Sequence, residues 1–201
     1  MPRFFLFLIL AAVVVVGCDD DGETEDLYGQ CDKEYTCNEA KHTATSLVLL
    51  PVGDSRVQGR TPYFESYRYE LWRHFVVDDR SVDFIGTRDD EGCYMPVDSL
   101  CFDRDHEGTG GDKTTDVLEM LAVTPFSKTP EVVTLGIGGN DLIGGAAPDD
   151  VIDNLNTIID ELQELNDSLV IVVEQIAPGT SEFMTPELTA AFADYNSQIP
   201  G

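Results

Sequence analysis

LVLLPVGDSRVQG, Leu47 to Gly59, is the stretch whose reading decides the fold. Leu47 to Val52 is a near-continuous apolar run, the mark of a strand buried on both faces. It stops at Gly53-Asp54-Ser55. The glycine permits a sharp turn there, and the serine follows the strand's carboxyl end directly. In parallel sheets that edge is where ligands bind. Ser55 is therefore either a turn residue or a nucleophile, and its surroundings have to decide.

Outward from this run the pattern alternates. Pro62 suits a helix's first turn, and Tyr63, Tyr67, Leu71 and Phe75, with Trp72 adjacent, form one apolar helical stripe. Val82 to Ile85 reads as a short strand, and 89–113 as loop. Asp116 to Val123 reads as a helix and Glu131 to Ile137 as another apolar strand, ending at Gly138-Gly139. Pro148-Asp149-Asp150 opens a helix with Ile152, Leu155, Ile158, Ile159, Leu162 and Leu165 on its apolar side. Leu169 to Ile176 reads as a strand and Pro186 to Ile199 as a helix. Such alternation predicts an α/β fold, a parallel sheet covered on both faces.

The chain has 201 residues, enough for one domain with a sizeable core, and 42% hydrophobic content is a globular composition. Its 38 acids against 12 Lys and Arg give a formal charge of −26. No basic footprint for phosphates exists, so nucleic acid is excluded as a partner. MPRFFLFLILAAVVVVGC, Met1 to Cys18, has Arg3 in a short n-region and an apolar run from Phe4 to Val16. The run is short for a bilayer span and fits a signal-peptide core. Three segments follow from this: a signal over 1–17, an acidic spacer over 18–45 carrying Cys31 and Cys37, and a folded domain over 46–201. DDDGETEDLYGQ, Asp19 to Gln30, has little to bury.

Export implies an oxidising compartment, where cysteines pair. Cys31, Cys37, Cys93 and Cys101 allow three connectivities, and short loops favour Cys31–Cys37 with Cys93–Cys101. No C-x-x-C pair or finger-spaced histidine supports zinc. Asp103, Asp105, Glu107 and Gly108 mimic the start of a calcium EF-hand loop, but its last ligand position holds Thr114 rather than Glu. GIGGND is not a dinucleotide fingerprint, since counting from Gly136 the third glycine position is Asp141. No metal and no cofactor is expected.

A serine nucleophile needs a base for its proton and donors for the oxyanion its attack creates. Ser55 offers its own N–H. Asn140, after a second strand end, offers a side-chain amide, and the glycines of EGTGGDKTT, Glu107 to Thr115, offer backbone N–H groups. GDSRVQG resembles the first block of the SGNH, or GDSL, hydrolases, GTGGDKT the second and GIGGND the third. DRDHEGTGG, Asp103 to Gly111, is similar to the corresponding stretch of the carbohydrate esterase family 3 branch. The end of the leader, Val15-Val16-Gly17-Cys18, resembles the lipobox of bacterial lipoproteins. The resemblance implies a three-layer, flavodoxin-like fold and a serine esterase acting on short acyl, chiefly acetyl, esters of carbohydrate. It implies Ser55 as nucleophile, and Gly111 and Asn140 as oxyanion donors. Cys18 would carry the lipid that anchors an exported protein to the bacterial envelope. A monomer is expected. Asp54, Arg56 and His106 are substrate-lining candidates, and His106 is expected to be lining or structural rather than catalytic.

Two departures stand out. Arg56 and Val57 follow the serine where the family has other residues, setting a cation near the cleft. In this family the base comes from a fifth block, D-x-x-H, near the C-terminus, and with only His42, His74 and His106 present the expectation is that the sequence holds no such block. The catalytic Asp and His are therefore expected outside this chain, as a fragment lacking its last strand and closing helix. The rival expectations are a binding lipoprotein on the same scaffold with its base lost, and a lipase or general GDSL esterase. For the anchor, metabolic labelling with palmitate is expected to mark the expressed protein and to vanish in Cys18→Ser.

Overall fold

The computed structural model describes residues 36–39, 43, 45–59, 66–89, 94–179 and 183–199. The leader with Cys18, most of the acidic spacer, Cys31, His42, Pro62, Tyr63 and Cys93 lie outside the described residues.

Five parallel strands form one sheet: β1 (Leu47–Gly53), β2 (Val82–Phe84), β3 (Glu107–Gly108), β4 (Val132–Gly136) and β5 (Val170–Val173). The order is β2-β1-β4-β5, and β3 shares β1's outer edge with β2. β2 pairs with Leu47 to Leu49, while β3 pairs with Val52 and Gly53. The chain thus leaves the edge of β1, loops out and rejoins it beside the serine. β3 is too short to show any periodicity, so the sequence expectation has loop there.

Alternation along β1 feeds two cores. Leu50 and Val52 face one that also holds Val133, Leu135 and Ile171. Helix α5 (Pro148–Leu165) adds Val151, Leu155, Ile158 and Leu162 to it, and α6 (Pro186–Gln198) adds Phe192 and Tyr195. Helix α3 (Thr114–Val123) covers the same face through Val117. Leu49, Val82 and Phe84 face the other core, where Trp72 and Phe102 pack edge-to-face at 5.5 Å. The three-layer α/β fold is therefore as expected.

Helix α2 (Tyr67–Val77) lies over that second core, but its buried face is centred differently from the expected stripe. Ser66 caps it, and the residues with essentially no exposure are Trp72 and Arg68. Arg68 is inside because carbonyls there need donors. Its Nε donates to Val57 O (2.8 Å), Nη2 to Gln58 O (3.1 Å) and Nη1 to Arg104 O (2.8 Å). A hydrogen bond from a charged group to a buried carbonyl is among the stronger kinds.

The disulfide is a correction. Cys37 pairs with Cys101, not with Cys31, and Cys93 is not Cys101's partner. Asn38 N donates to Ser99 O and Cys101 N to Asn38 O, both at 2.8 Å, so backbone pairing brings the two cysteines together. Loop closure grows only logarithmically with length. Spanning 64 residues rather than fewer than ten costs roughly 2 kcal/mol more, which that pairing offsets.

Arg68→Met takes the side-chain donor from Gln58 O and Arg104 O and one of two from Val57 O, which keeps the Ser66 hydroxyl, and is expected to lower unfolding free energy in urea by about 3 kcal/mol. Arg73→Met on the same helix removes only an exposed pair with Glu70, and about 0.5 kcal/mol or less is expected.

Candidate active site

Ser55 is the first residue of α1 (Ser55–Gln58), a single turn that follows β1 without a loop. The turn is held from both neighbouring strands. Asp54 N donates to Gly136 O at the end of β4, and Thr109 N, just past β3, donates to Gly53 O. A Cβ at Gly53 would stand 2.1 Å from Gly136 O, so only glycine lets the two strand ends meet this closely. The Asp54 carboxylate caps α1 by accepting from Arg56 N (2.9 Å). It also takes the Arg56 guanidinium through Nε (3.1 Å) and Nη2 (3.2 Å). Burial works to lower the Arg56 pKa, but Asp54 and Glu174 outweigh it and hold the guanidinium above its ordinary value. Asp54 is only 3% exposed, so it holds Arg56 rather than lining a cleft.

The loop after β3 lies against α1. Gln58 Oε1 accepts from Gly110 N at 2.6 Å, and a Cβ at Gly110 would stand 3.8 Å from Ser55 Cβ. Gly111 follows at φ +90°, facing open space. Asn140 is the second residue of α4 (Gly139–Ile143), at the end of β4. Its Nδ2 donates one proton to Asp112 O at 2.9 Å, tying this turn to the Gly111 loop. The second amide proton stays uncommitted. Among the described residues, nothing accepts from Gly111 N–H or Ser55 N–H, and nothing hydrogen-bonds the Ser55 hydroxyl. Ser55, Gly111 and Asn140, singled out by sequence, are thus linked by this chain of contacts, with three donors uncommitted.

Asp141, which sequence reasoning did not single out, fixes the Asn140 turn. Its buried carboxylate accepts from Thr114 N (3.0 Å) and Thr114 Oγ1 (2.7 Å), capping α3 from a neighbouring helix. Beside the Gly111 loop lies a hollow of about 260 Å³, lined in part by Arg88, Glu107, Thr109, Asp112 and Met120. Burial raises the Asp112 carboxyl above the usual range despite a hydrogen bond from Thr109.

His106 is 1% exposed, so it does not line a cleft. Asp103-Arg104-Asp105-His106 does carry a D-x-x-H spacing, in mid-chain rather than near the end. The hydrogen bonding does not suit a triad. His106 Nδ1 accepts from Gly108 N at 2.9 Å, whereas a triad histidine donates Nδ1–H to its aspartate and keeps Nε2 for the serine. Asp103 instead accepts from Phe84 N (2.7 Å), and Glu107 accepts from Thr87 N (2.5 Å). Two of the acids that mimic calcium ligands, Asp103 and Glu107, are therefore engaged with the backbone. Among the described residues no three His, Cys, Asp or Glu side chains group as metal ligands. His74 lies exposed on α2, away from the strand ends.

The family model described as GDSL-like lipase/acylhydrolase matches residues 52–200. Solved structures of similar fold include a family 3 carbohydrate esterase from Clostridium thermocellum. It is 30% identical over 78% of this chain and 70% of that one, with TM-score 0.59. A carbohydrate esterase family 3 member from Talaromyces cellulolyticus is 25% identical over 77% and 71%, with TM-score 0.61. A mutant acetyl esterase solved with an acetate ion has the same identity, coverage and TM-score. No curated protein matches the chain.

Asp141→Ala strands the buried Thr114 N–H. It is expected to cost about 2 kcal/mol in a urea titration and to lower esterase kcat by loosening Asn140.

Proposed function

The chain belongs to the GDSL-like lipase/acylhydrolase family and is a carboxylic ester hydrolase; from that premise we propose that it removes short acyl groups, chiefly acetyl, from carbohydrate through an acyl-serine at Ser55. The observation that carries this is the meeting of three turns. The Ser55 turn touches the Gly110-Gly111 loop, and that loop accepts the Asn140 amide on Asp112 O.

In this reading Ser55 Oγ attacks the ester carbonyl and gives its proton to a base. The tetrahedral oxygen takes hydrogen bonds from Ser55 N–H, Gly111 N–H and the second Asn140 amide proton. Such donors act most strongly when they are fixed before the charge develops. The intermediate collapses, the alcohol leaves with a proton, and the acyl group stays on Ser55 until water releases it. On the serine-hydrolase template a histidine oriented by an aspartate serves as base. None of His74, His106 or His42 is assigned that role, and the protein expressed from its complete gene is the one to assay.

The finer claims rest on likeness. The family 3 carbohydrate esterases support carbohydrate, and the neighbour solved with acetate supports a short acyl group. The hollow beside the Gly111 loop offers Arg88, Thr109 and Asp112 as hydrogen-bonding groups for a hydroxyl-bearing alcohol. With a lipobox at Val15–Cys18, the reaction belongs on the outer side of a membrane.

Hydrolysis of p-nitrophenyl acetate is expected to vanish in Ser55→Ala. Asn140→Ala is expected to lower kcat by about 10²–10³, and an unchanged kcat removes Asn140 from the oxyanion site. Acetylated xylan is expected to be cleaved faster than long-chain esters, and the reverse order supports the lipase reading.

A further inference from the structure

Gly111 sits in the turn Thr109-Gly110-Gly111-Asp112, closed by Asp112 N donating to Thr109 O at 3.2 Å, with Gly111 third at φ +90°. Both central positions are glycine, so no side chain restrains the turn from within. The restraint comes from outside. Ahead of the turn, Thr109 N donates to Gly53 O (2.9 Å). Behind it, Asp112 O accepts the Asn140 amide (2.9 Å). Between the two, Gly110 N donates to Gln58 Oε1 at 2.6 Å.

Gln58 is the last residue of α1, the helix that Ser55 begins. Its backbone is held on both sides, with N donating to Asp54 O (3.0 Å) and O accepting from Arg68 Nη2 (3.1 Å). A Cβ at Gly108 would stand 2.7 Å from Gln58 N, so α1 and β3 meet there without a gap. The side chain therefore starts from a fixed point, and its amide oxygen reaches the glycine turn. A Cβ at Gly110 would stand only 3.0 Å from that oxygen.

We propose that Gln58 is a positioning residue for the oxyanion site: by taking the Gly110 N–H it sets the turn so that the next amide, Gly111 N–H, is left for the substrate. The inference rests on the reading of Ser55 as nucleophile and Gly111 as donor. Every other amide from Thr109 to Thr114 has an acceptor. Thr109 N is on Gly53 O, Gly110 N on Gln58, Asp112 N on Thr109 O, Lys113 N on Asp116 Oδ2 and Thr114 N on Asp141. Gly111 N–H alone has none among the described residues. One short helix thus carries the nucleophile at its first residue and the support of the donor turn at its last. Binding of a neutral ester asks little of this arrangement. It matters when the carbonyl oxygen gains charge, since donors fixed beforehand need no reorganisation then.

Gln58→Leu keeps the bulk and removes the acceptor, whereas Gln58→Glu keeps an acceptor. In the protein from the complete gene, Gln58→Leu is expected to lower kcat for p-nitrophenyl acetate about tenfold with KM nearly unchanged. Gln58→Glu is expected to retain most of the wild-type kcat. Wild-type kcat in Gln58→Leu, a loss carried by KM alone, or equal losses in the two variants overturns the proposal. Amide hydrogen exchange reads the turn directly. In Gln58→Leu, Gly110 N–H is expected to exchange about tenfold faster while Thr109 N–H, bonded to β1, keeps its rate. An unchanged Gly110 rate overturns the proposal whatever the kinetics. Turnover that survives Ser55→Ala overturns the acyl-serine reading instead. In that event the exchange rates alone decide whether Gln58 holds the turn.

Discussion

A guanidinium without solvent exposure holds the floor of the site together. Arg68 reaches from α2 to the carbonyls of Val57 and Gln58 at the end of α1, and to Arg104 in the excursion before β3. The backbone bonds of the one-turn helix α1 end on Asp54 O and Ser55 O, so its last carbonyls depend on an outside donor. Burying that donor is favourable only because each polar edge of the fork is met. Phe102 lies under the guanidinium, 5.7 Å from its carbon, which adds a face-on contact to the in-plane bonds. The Ser55 turn and the excursion before β3 are consequently tied to each other and to the aromatic core.

The second organising feature is the way strand ends share carbonyls. Gly136 O receives Asp54 N and Gly53 O receives Thr109 N, so β4, β1 and β3 end in register with one another. Each turn that leaves this edge carries one polar group of the site. None of those groups is placed by its own loop alone. Asn140 leans on Asp112, Asp112 sits in the loop that Gln58 holds through Gly110, and Asp141 anchors the whole turn to α3.

Much of this is legible in the chain itself. Leu47 to Val52 reads as a buried strand because it is apolar throughout, and α5 reads as a helix because Leu155, Ile158 and Leu162 recur on one face, to which the structure adds Val151. Ser55 and Asn140 are legible because strand ends and glycines mark them, and Gly111 because its loop resembles the family's second block. Arg68 is not, since a charged residue within an amphipathic pattern reads as solvent-facing and only the carbonyls around it say otherwise. β3 is two residues long and leaves no periodic trace. The Cys37–Cys101 bridge depends on Asn38 meeting Leu100, a contact between distant segments that spacing cannot express. The mid-chain Asp103–His106 spacing shows the converse. A motif can be present while its hydrogen bonds, here Gly108 N to His106 Nδ1, suit another purpose.

The split edge of β1 has one further consequence. The excursion that begins after Phe84 and ends at Glu107 departs opposite Leu49 and returns opposite Val52. Those two rungs are about 10 Å apart along the strand, and both are fixed by the ladder rather than by the excursion. A segment with such closely clamped ends can lengthen or shorten at a cost that rises only with the logarithm of its length. A change of length within the excursion therefore leaves the register of the strand that presents Ser55 untouched, provided Phe102 and Arg104 keep their places against the aromatic core and Arg68.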